Sequence, residues 1–194
     1  MSQYGFFVDV AKCTGCKTCV LACKDAHSLS SGVNYRKVHE KIGGGFKQNA
    51  EGAWVHDVRG YYVSVACNEC EDPACVKVCP TKAHYKRAQD GLVLIDQTKC
   101  IGCGACAQAC PYGAPVLDTK LHKMKKCDAC VGRLAKGLQP ICVEACPQRA
   151  LEFGPIEELR AKYGENASIA PLPLPVTKPS LVVRKPKNGW EPSV

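Results

Sequence analysis

Residues 100–111 read Cys100-Ile101-Gly102-Cys103-Gly104-Ala105-Cys106-Ala107-Gln108-Ala109-Cys110-Pro111. Three cysteines stand two residues apart, a fourth follows after three more, and a proline comes next. The spacing has a mechanical reason. A tight loop with a thiolate at every third position can curl round one metal cube and offer sulfurs to three of its corners. The fourth cysteine sits on the chain leaving the loop, points away, and is free to serve a neighbouring cube. Gly102 and Gly104 let backbone approach the sulfurs without a side chain in the way. Pro111 stops the short helix that carries Cys110 and turns the chain.

The same stretch recurs on either side. Cys13, Cys16, Cys19 and Cys23 repeat the spacing, with Gly15 in the loop and Lys24 where the proline would stand. In Cys67, Cys70, Cys75 and Cys79 the middle gap widens to four residues, and in Cys127, Cys130, Cys142 and Cys146 to eleven. All 16 cysteines are used. A Cys-Pro-x-x-Ala pattern closes three groups, at Cys79–Ala83, Cys110–Ala114 and Cys146–Ala150. Because each loop lends its last cysteine elsewhere, the groups must work in pairs. The expectation is four [4Fe-4S] clusters in two ferredoxin-like halves.

Other uses of cysteine fit less well. Disulfides belong to oxidising compartments and usually to smaller secreted chains. Structural zinc would suit the second and fourth groups taken alone, but the triplets of the first and third crowd one loop with a ligand that zinc does not require.

Aromatic residues make up only 7% of the chain, so packed side chains alone form a modest core. The formal charge of +8 counts each cysteine as neutral. Sixteen thiolates against four cores of about +2 each nearly cancel it, so the basic excess reads as compensation for clusters rather than a nucleic-acid footprint. No run approaches the roughly 18 apolar residues of a membrane span. The start, Met1 to Phe7, has neither a basic nor a long apolar region, so no span and no export signal of its own are expected.

Apolar, β-prone runs flank the cysteine groups: Tyr4–Asp9, Tyr61–Ala66, Leu92–Asp96 and Leu151–Phe153, with a turn at Asp90-Gly91. Between groups one and two, an inserted hairpin is expected. It runs out along Val33–Val38, turns at Gly43-Gly44-Gly45 and returns along Trp54–Val58. Pro155 should open a helix that carries Glu157 and Glu158 near its positive end and stops at Gly164. Beyond it, Pro171, Pro173, Pro175 and Pro179 read either as an extended strap over a surface, its own or a partner's, or as a bare disordered end.

The histidines (His27, His39, His56, His84, His122) show no paired spacing and read as surface or hydrogen-bonded residues. Lys123, Lys125 and Lys126 read as a solvated basic run, with an influence on a nearby cluster as the alternative. There is no nucleophile motif, haem site or nucleotide fingerprint. With no substrate chemistry left over, moving electrons is the expected task, and a wire of clusters needs a donor and an acceptor.

Several stretches resemble the four-cluster iron–sulfur subunits of the molybdopterin oxidoreductase family, in particular the branch serving dimethyl sulfoxide reductases. They are Tyr4-Gly5-Phe6-Phe7, Cys13–Cys19, Asp72-Pro73-Ala74-Cys75, Ala109–Pro115, Gln139–Glu144 and Arg149–Leu159. The resemblance implies an α+β fold of two nested ferredoxin-like domains, with an inserted hairpin and an extended tail. Residues 1–32 plus 120–164 would form one half, 60–119 the other, 33–59 the hairpin and 165–194 the Pro-rich tail. It implies four ligand sets: Cys13, Cys16, Cys19 and Cys146; Cys23, Cys127, Cys130 and Cys142; Cys67, Cys70, Cys75 and Cys110; and Cys79, Cys100, Cys103 and Cys106.

By the same resemblance the chain is a non-catalytic subunit. It would pass electrons from a quinol-oxidising integral membrane anchor to a molybdopterin-containing catalytic subunit in anaerobic respiration. Its expected place is peripheral on the cytoplasmic membrane, on the periplasmic face by co-export with the catalytic partner. A free soluble polyferredoxin is the alternative, and neither nucleic acid nor a direct membrane span is expected.

Overall fold

The computed structural model describes residues 2–187 and 190; the rest, including the last part of the 165–194 tail, lie outside the described residues. The first strand, β1 (Tyr4–Asp9), is followed by the first cysteine loop and by α1 (Thr18–Ala26), whose Cys19 and Cys23 are both buried. The inserted segment holds β2 (Lys37–Gly43), β3 (Phe46–Gln48) and β4 (Trp54–His56), and β5 (Arg59–Val65) follows. β2 pairs antiparallel with β5 from Lys37↔Val65 to Gly43↔Arg59, and β3 pairs with β4 further out.

The reversal is not at the glycines. It lies at residues 49–53, where the Asn49 side-chain oxygen accepts the Glu51 and Ala53 N–H groups and closes its own turn. Gly44, at φ +81°, and Gly45 make a kink instead, gripped by the Asp57 carboxylate through the Gly45 N–H at 2.8 Å. Val33–Arg36 is likewise outside any strand, because β2 begins only at Lys37.

Short elements then alternate with the remaining cysteine loops: α2 (Ala74–Lys77), β6 (His84–Lys86) paired with β7 (Val93–Ile95), α3 (Ala105–Ala109), and β8 (Val116–Asp118) paired with β9 (Lys123–Lys125). After these come α4 (Val131–Leu134), α5 (Ile141–Glu144), β10 (Leu151–Pro155), α6 (Ile156–Tyr163) and β11 (Leu181–Arg184). The sequence order is not the packing order. α1 lies against α5 and α2 against α3. β1 sits between β10, antiparallel, and β11, parallel.

Side chains alternate across β1, as the two-residue period of a strand requires. Phe6, Val8 and Val10 join Phe153, Leu151, Leu181 and Val183 in the core that also receives Cys19, Cys142 and Cys146. Phe7 faces the other way, with Ile156, Leu159 and Val182 under α6, and stacks on Tyr163 at 3.7 Å between ring centroids. The helix ends where Gly164 donates its N–H to Arg160.

The tail is a strap over the chain's own surface. Glu71 N–H donates to Lys178 O and Ser180 N–H to Asn68 O, both at 2.8 Å, before β11 joins the sheet. Among the described residues no helix is long and apolar enough to cross a membrane.

Candidate metal centres

The residue just before the second cysteine of each group adopts the left-handed conformation in all four cases: Gly15 (φ +72°), Glu69 (φ +43°), Gly102 (φ +72°) and Ala129 (φ +56°). That conformation curls each loop so that successive backbone groups and sulfurs face one side. At Gly102 there is no room for anything but hydrogen, since a Cβ would lie 2.2 Å from His122 O. At Glu69 and Ala129 the same turn is held against the steric preference of an L-residue, at a cost of about 1–2 kcal/mol each.

The repeated Cys-Pro-x-x-Ala motif has a similar explanation. Ala150 N–H donates to Cys146 Sγ at 3.3 Å and Ala114 N–H to Cys110 Sγ at 3.5 Å. At the third copy the neighbouring His84 N–H donates to Cys79 Sγ at 3.5 Å. Ala83, Ala114 and Ala150 are buried against cavities that cysteines line, where a larger side chain would intrude.

The four groups redistribute into four quartets. Cys13, Cys16, Cys19 and Cys146 line one cavity. Cys67, Cys70, Cys75 and Cys110 line a second, and Cys79, Cys100, Cys103 and Cys106 a third. Cys23, Cys127, Cys130 and Cys142 converge at a fourth place. Burial, with the nearby Cys142 and Cys130 sulfurs, pushes the Cys23 thiol up to about 12. Burial likewise pushes Cys130 up to about 11 and holds Cys127 well above its ordinary value.

All sixteen thiols are free of disulfides. Most resist ionisation where they stand: burial, then neighbouring sulfurs, raise Cys75 to about 12 and Cys106 to about 11. Four crowded thiols of this kind ionise together only round a cationic core, and backbone N–H groups already point at several sulfurs. This donor set fits iron–sulfur clusters.

Cross-quartet neighbours string the quartets into a line. Cys19 lies near Cys142, Cys127 near Cys67, and Cys75 near Cys106. The line has exposed ends at Cys16 and Cys103, whereas Cys67 and Cys127 in its middle are buried.

Side chains that the sequence reading passed over touch the sulfurs. Thr177 Oγ1, on the strap, donates to Cys70 Sγ at 3.1 Å. Ser64 Oγ lies 3.3 Å from Cys19 Sγ. His27 Nε2 lies 3.3 Å from Cys130 Sγ. His84 is buried, and neither ring nitrogen has a hydrogen-bond partner among the described residues, so the surface reading fails for it. Burial and then Lys126 push it down to about 4, leaving it neutral.

The solvated reading of the basic run is corrected too. Lys126 is 5% exposed, since β9 turns it inward to Glu69, and Lys125 pairs with the buried Asp118 at 2.9 Å. The signal for Lys126 in sequence was its place next to Cys127; Thr177 carried none.

Known proteins agree with this donor set. Residues 58–156 match a 4Fe-4S dicluster domain and residues 11–26 a 4Fe-4S binding domain. The protein is 54% identical to one chain of the anaerobic dimethyl sulfoxide reductase of Haemophilus influenzae, over 96% of its own length and 91% of the relative's. It is 52% identical to a chain of the same name in Escherichia coli K12, over 97% and 91%. To a tetrathionate reductase subunit of Salmonella typhimurium it is 33% identical, over 99% and 71%. The protein therefore belongs to the family of iron–sulfur subunits found in anaerobic dimethyl sulfoxide reductases, as a non-catalytic, electron-transferring subunit with four [4Fe-4S] clusters.

Proposed function

We propose that the chain relays electrons from a quinol-oxidising membrane anchor to a molybdopterin catalytic subunit of the dimethyl sulfoxide reductase type. The observation that carries this reading is the line of four cysteine quartets with a buried middle and one exposed cysteine at each end. When bound, the clusters take up and release single electrons.

The protein's own residues hold and insulate them. Cys13, Cys16, Cys19 and Cys146 hold the cluster that faces the catalytic subunit. Cys23, Cys127, Cys130 and Cys142 hold the next, and Cys67, Cys70, Cys75 and Cys110 the third. Cys79, Cys100, Cys103 and Cys106 hold the one that faces the anchor. Residues 1–32 with 120–164, and residues 60–119, act as nested ferredoxin-like halves. The packing of α1 on α5 and of α2 on α3 supports that division, with 33–59 as an inserted arm and 165–194 as a strap. Placement on the periplasmic face, by export together with the catalytic partner, follows by analogy.

The decisive experiment replaces Cys23 with Ser. The cluster bound by Cys127, Cys130 and Cys142 should lose its spectroscopic signature while that of Cys13, Cys16 and Cys19 persists. Loss of the latter instead overturns the pairing. Recovery of the chain only as a free monomer, with neither a molybdenum protein nor membranes, would favour a soluble polyferredoxin.

A further inference from the structure

Among the described residues, two lysine or arginine side chains are buried, Arg36 and Lys126, and each stands between two sulfur quartets. Arg36 Nη1 donates to Ser64 O at 3.1 Å and to Ser64 Oγ at 3.2 Å, and Ser64 Oγ touches Cys19 Sγ. Its Nε and Nη2 have no oxygen acceptor among the described residues. Its sulfur neighbours are Cys142, with which its side chain is in contact, Cys127 and Cys19. Its guanidinium thus spans the Cys13/16/19/146 and Cys23/127/130/142 quartets.

Lys126 does the same one junction further along. Its Nζ donates to Val93 O and to Cys127 O, and lies 3.6 Å from the buried Glu69 carboxylate. It lines the cavity of Cys67, Cys70, Cys75 and Cys110. The third junction, between Cys75 and Cys106, is different. Ala83, Val93 and Met124 pack it, Lys126 reaches only its near side through Val93 O, and among the described residues no lysine or arginine lines the cavity of Cys79, Cys100, Cys103 and Cys106.

A buried cation is costly unless something negative answers it. At the first junction no carboxylate among the described residues is ion-paired with Arg36, which has the Phe6 ring face at 4.8 Å, and at the second Glu69 is only one of several negative neighbours; the remaining anions are the cluster thiolates. Each electron added to a cluster adds negative charge, and at low dielectric a fixed neighbouring cation favours the reduced form.

Resting on the ligand assignment above, we propose that Arg36 and Lys126 are fixed positive charges at two of the three junctions of the relay, each holding up the reduction potential of both clusters beside it. They also weaken repulsion between neighbouring reduced clusters. The cluster of Cys79, Cys100, Cys103 and Cys106 receives no such support and is the one left unaided. Both side chains act as positioning residues for charge, touching no substrate.

The test is an EPR-monitored potentiometric titration of the cluster-loaded full chain. In Lys126→Met, the clusters of the Cys127 and Cys67 quartets should shift about tenfold toward the oxidised form, a fall of about 59 mV for a one-electron couple. The two end clusters should stay in place, and Lys126→Arg should restore the parent values. Arg36→Met should instead move the Cys13 and Cys127 quartets, with Arg36→Lys as its rescue.

Unchanged potentials at a full iron complement overturn the proposal, as does an equal shift of all four clusters. If either methionine variant loses its iron, Glu69→Gln supplies the opposite arm. Removing that anion must raise the potential of the Cys67-quartet cluster, and a fall or no change overturns the proposal. A parent protein without a full set of four clusters would instead overturn the ligand assignment, so the two failures are distinguishable.

Discussion

The middle of the sulfur line and its ends are built on different principles. In the middle, Cys67 and Cys127 are buried beside Lys126 and Glu69, and the strap lays Thr177 over Cys70. At the ends, Cys16 and Cys103 are exposed, and the exposed Ile101 lines the same cavity as Cys103. Electron exchange with another protein needs close approach, and approach needs exposure. Transfer within the chain needs neither, so Cys67 and Cys127 in its middle are buried and accompanied by fixed charges. The difference teaches that the donors are alike at every site and the surroundings are not.

The largest effect should come from removing one sulfur in the middle. Cys127→Ala leaves a buried quartet short of a sulfur where Cys127 packs with Ala66, Cys67 and Ala114, and we expect loss of soluble, iron-loaded protein. Cys16→Ala, at an exposed end, should keep the fold and the three other clusters; iron per chain and protease resistance separate the two outcomes.

A second test removes packing from a layer that contains no sulfur. Phe7→Ala empties the space between β1 and α6 and should cost about 3–5 kcal/mol of stability, read by chemical denaturation, while every cluster potential stays put. A change in potentials would mean that the sheet and the sulfur line are not separable.

Oxidative removal of iron sharpens the contrast in time rather than amount. Under ferricyanide, EPR signals of the two end clusters should decay before those of the two inner ones. Simultaneous decay would contradict the closed middle. The smallest effect is expected from Thr177→Val, which removes one hydroxyl donor at 3.1 Å from Cys70 Sγ. The cluster of that quartet should fall by less than the 59 mV of a tenfold change, with the other three unmoved in the same titration.

Much of this was readable from residue order, and the reason is local geometry. Cysteine spacing records how one loop wraps one cube, so the four groups and the α6 boundaries at Pro155 and Gly164 were legible. What escaped depends on segments far apart in the chain. Lys126 is buried because Glu69 and Val93 come to meet it, and Thr177 matters only because the strap crosses Cys70 more than a hundred residues back. The hairpin was misread for the opposite reason. A run of three glycines is a louder signal than one asparagine, yet Asn49 closes the turn with its own side chain while Gly44 and Gly45 only bend the strand. The histidines show the same limit, since nothing local marks His84 as buried.

One consequence of the crossed packing concerns how the protein is made. A ribosome has delivered every cysteine of the Cys67 and Cys79 quartets once residue 110 has emerged, whereas the loop at Cys13 waits for Cys146 and β1 waits for both β10 and β11. On the proposed assignment, the segment completed first in translation is the central one, and the opening residues stay unfinished the longest. Iron delivery to the growing chain would then run from the inside of the sequence outward, with β11 joining β1 only after every cysteine has emerged.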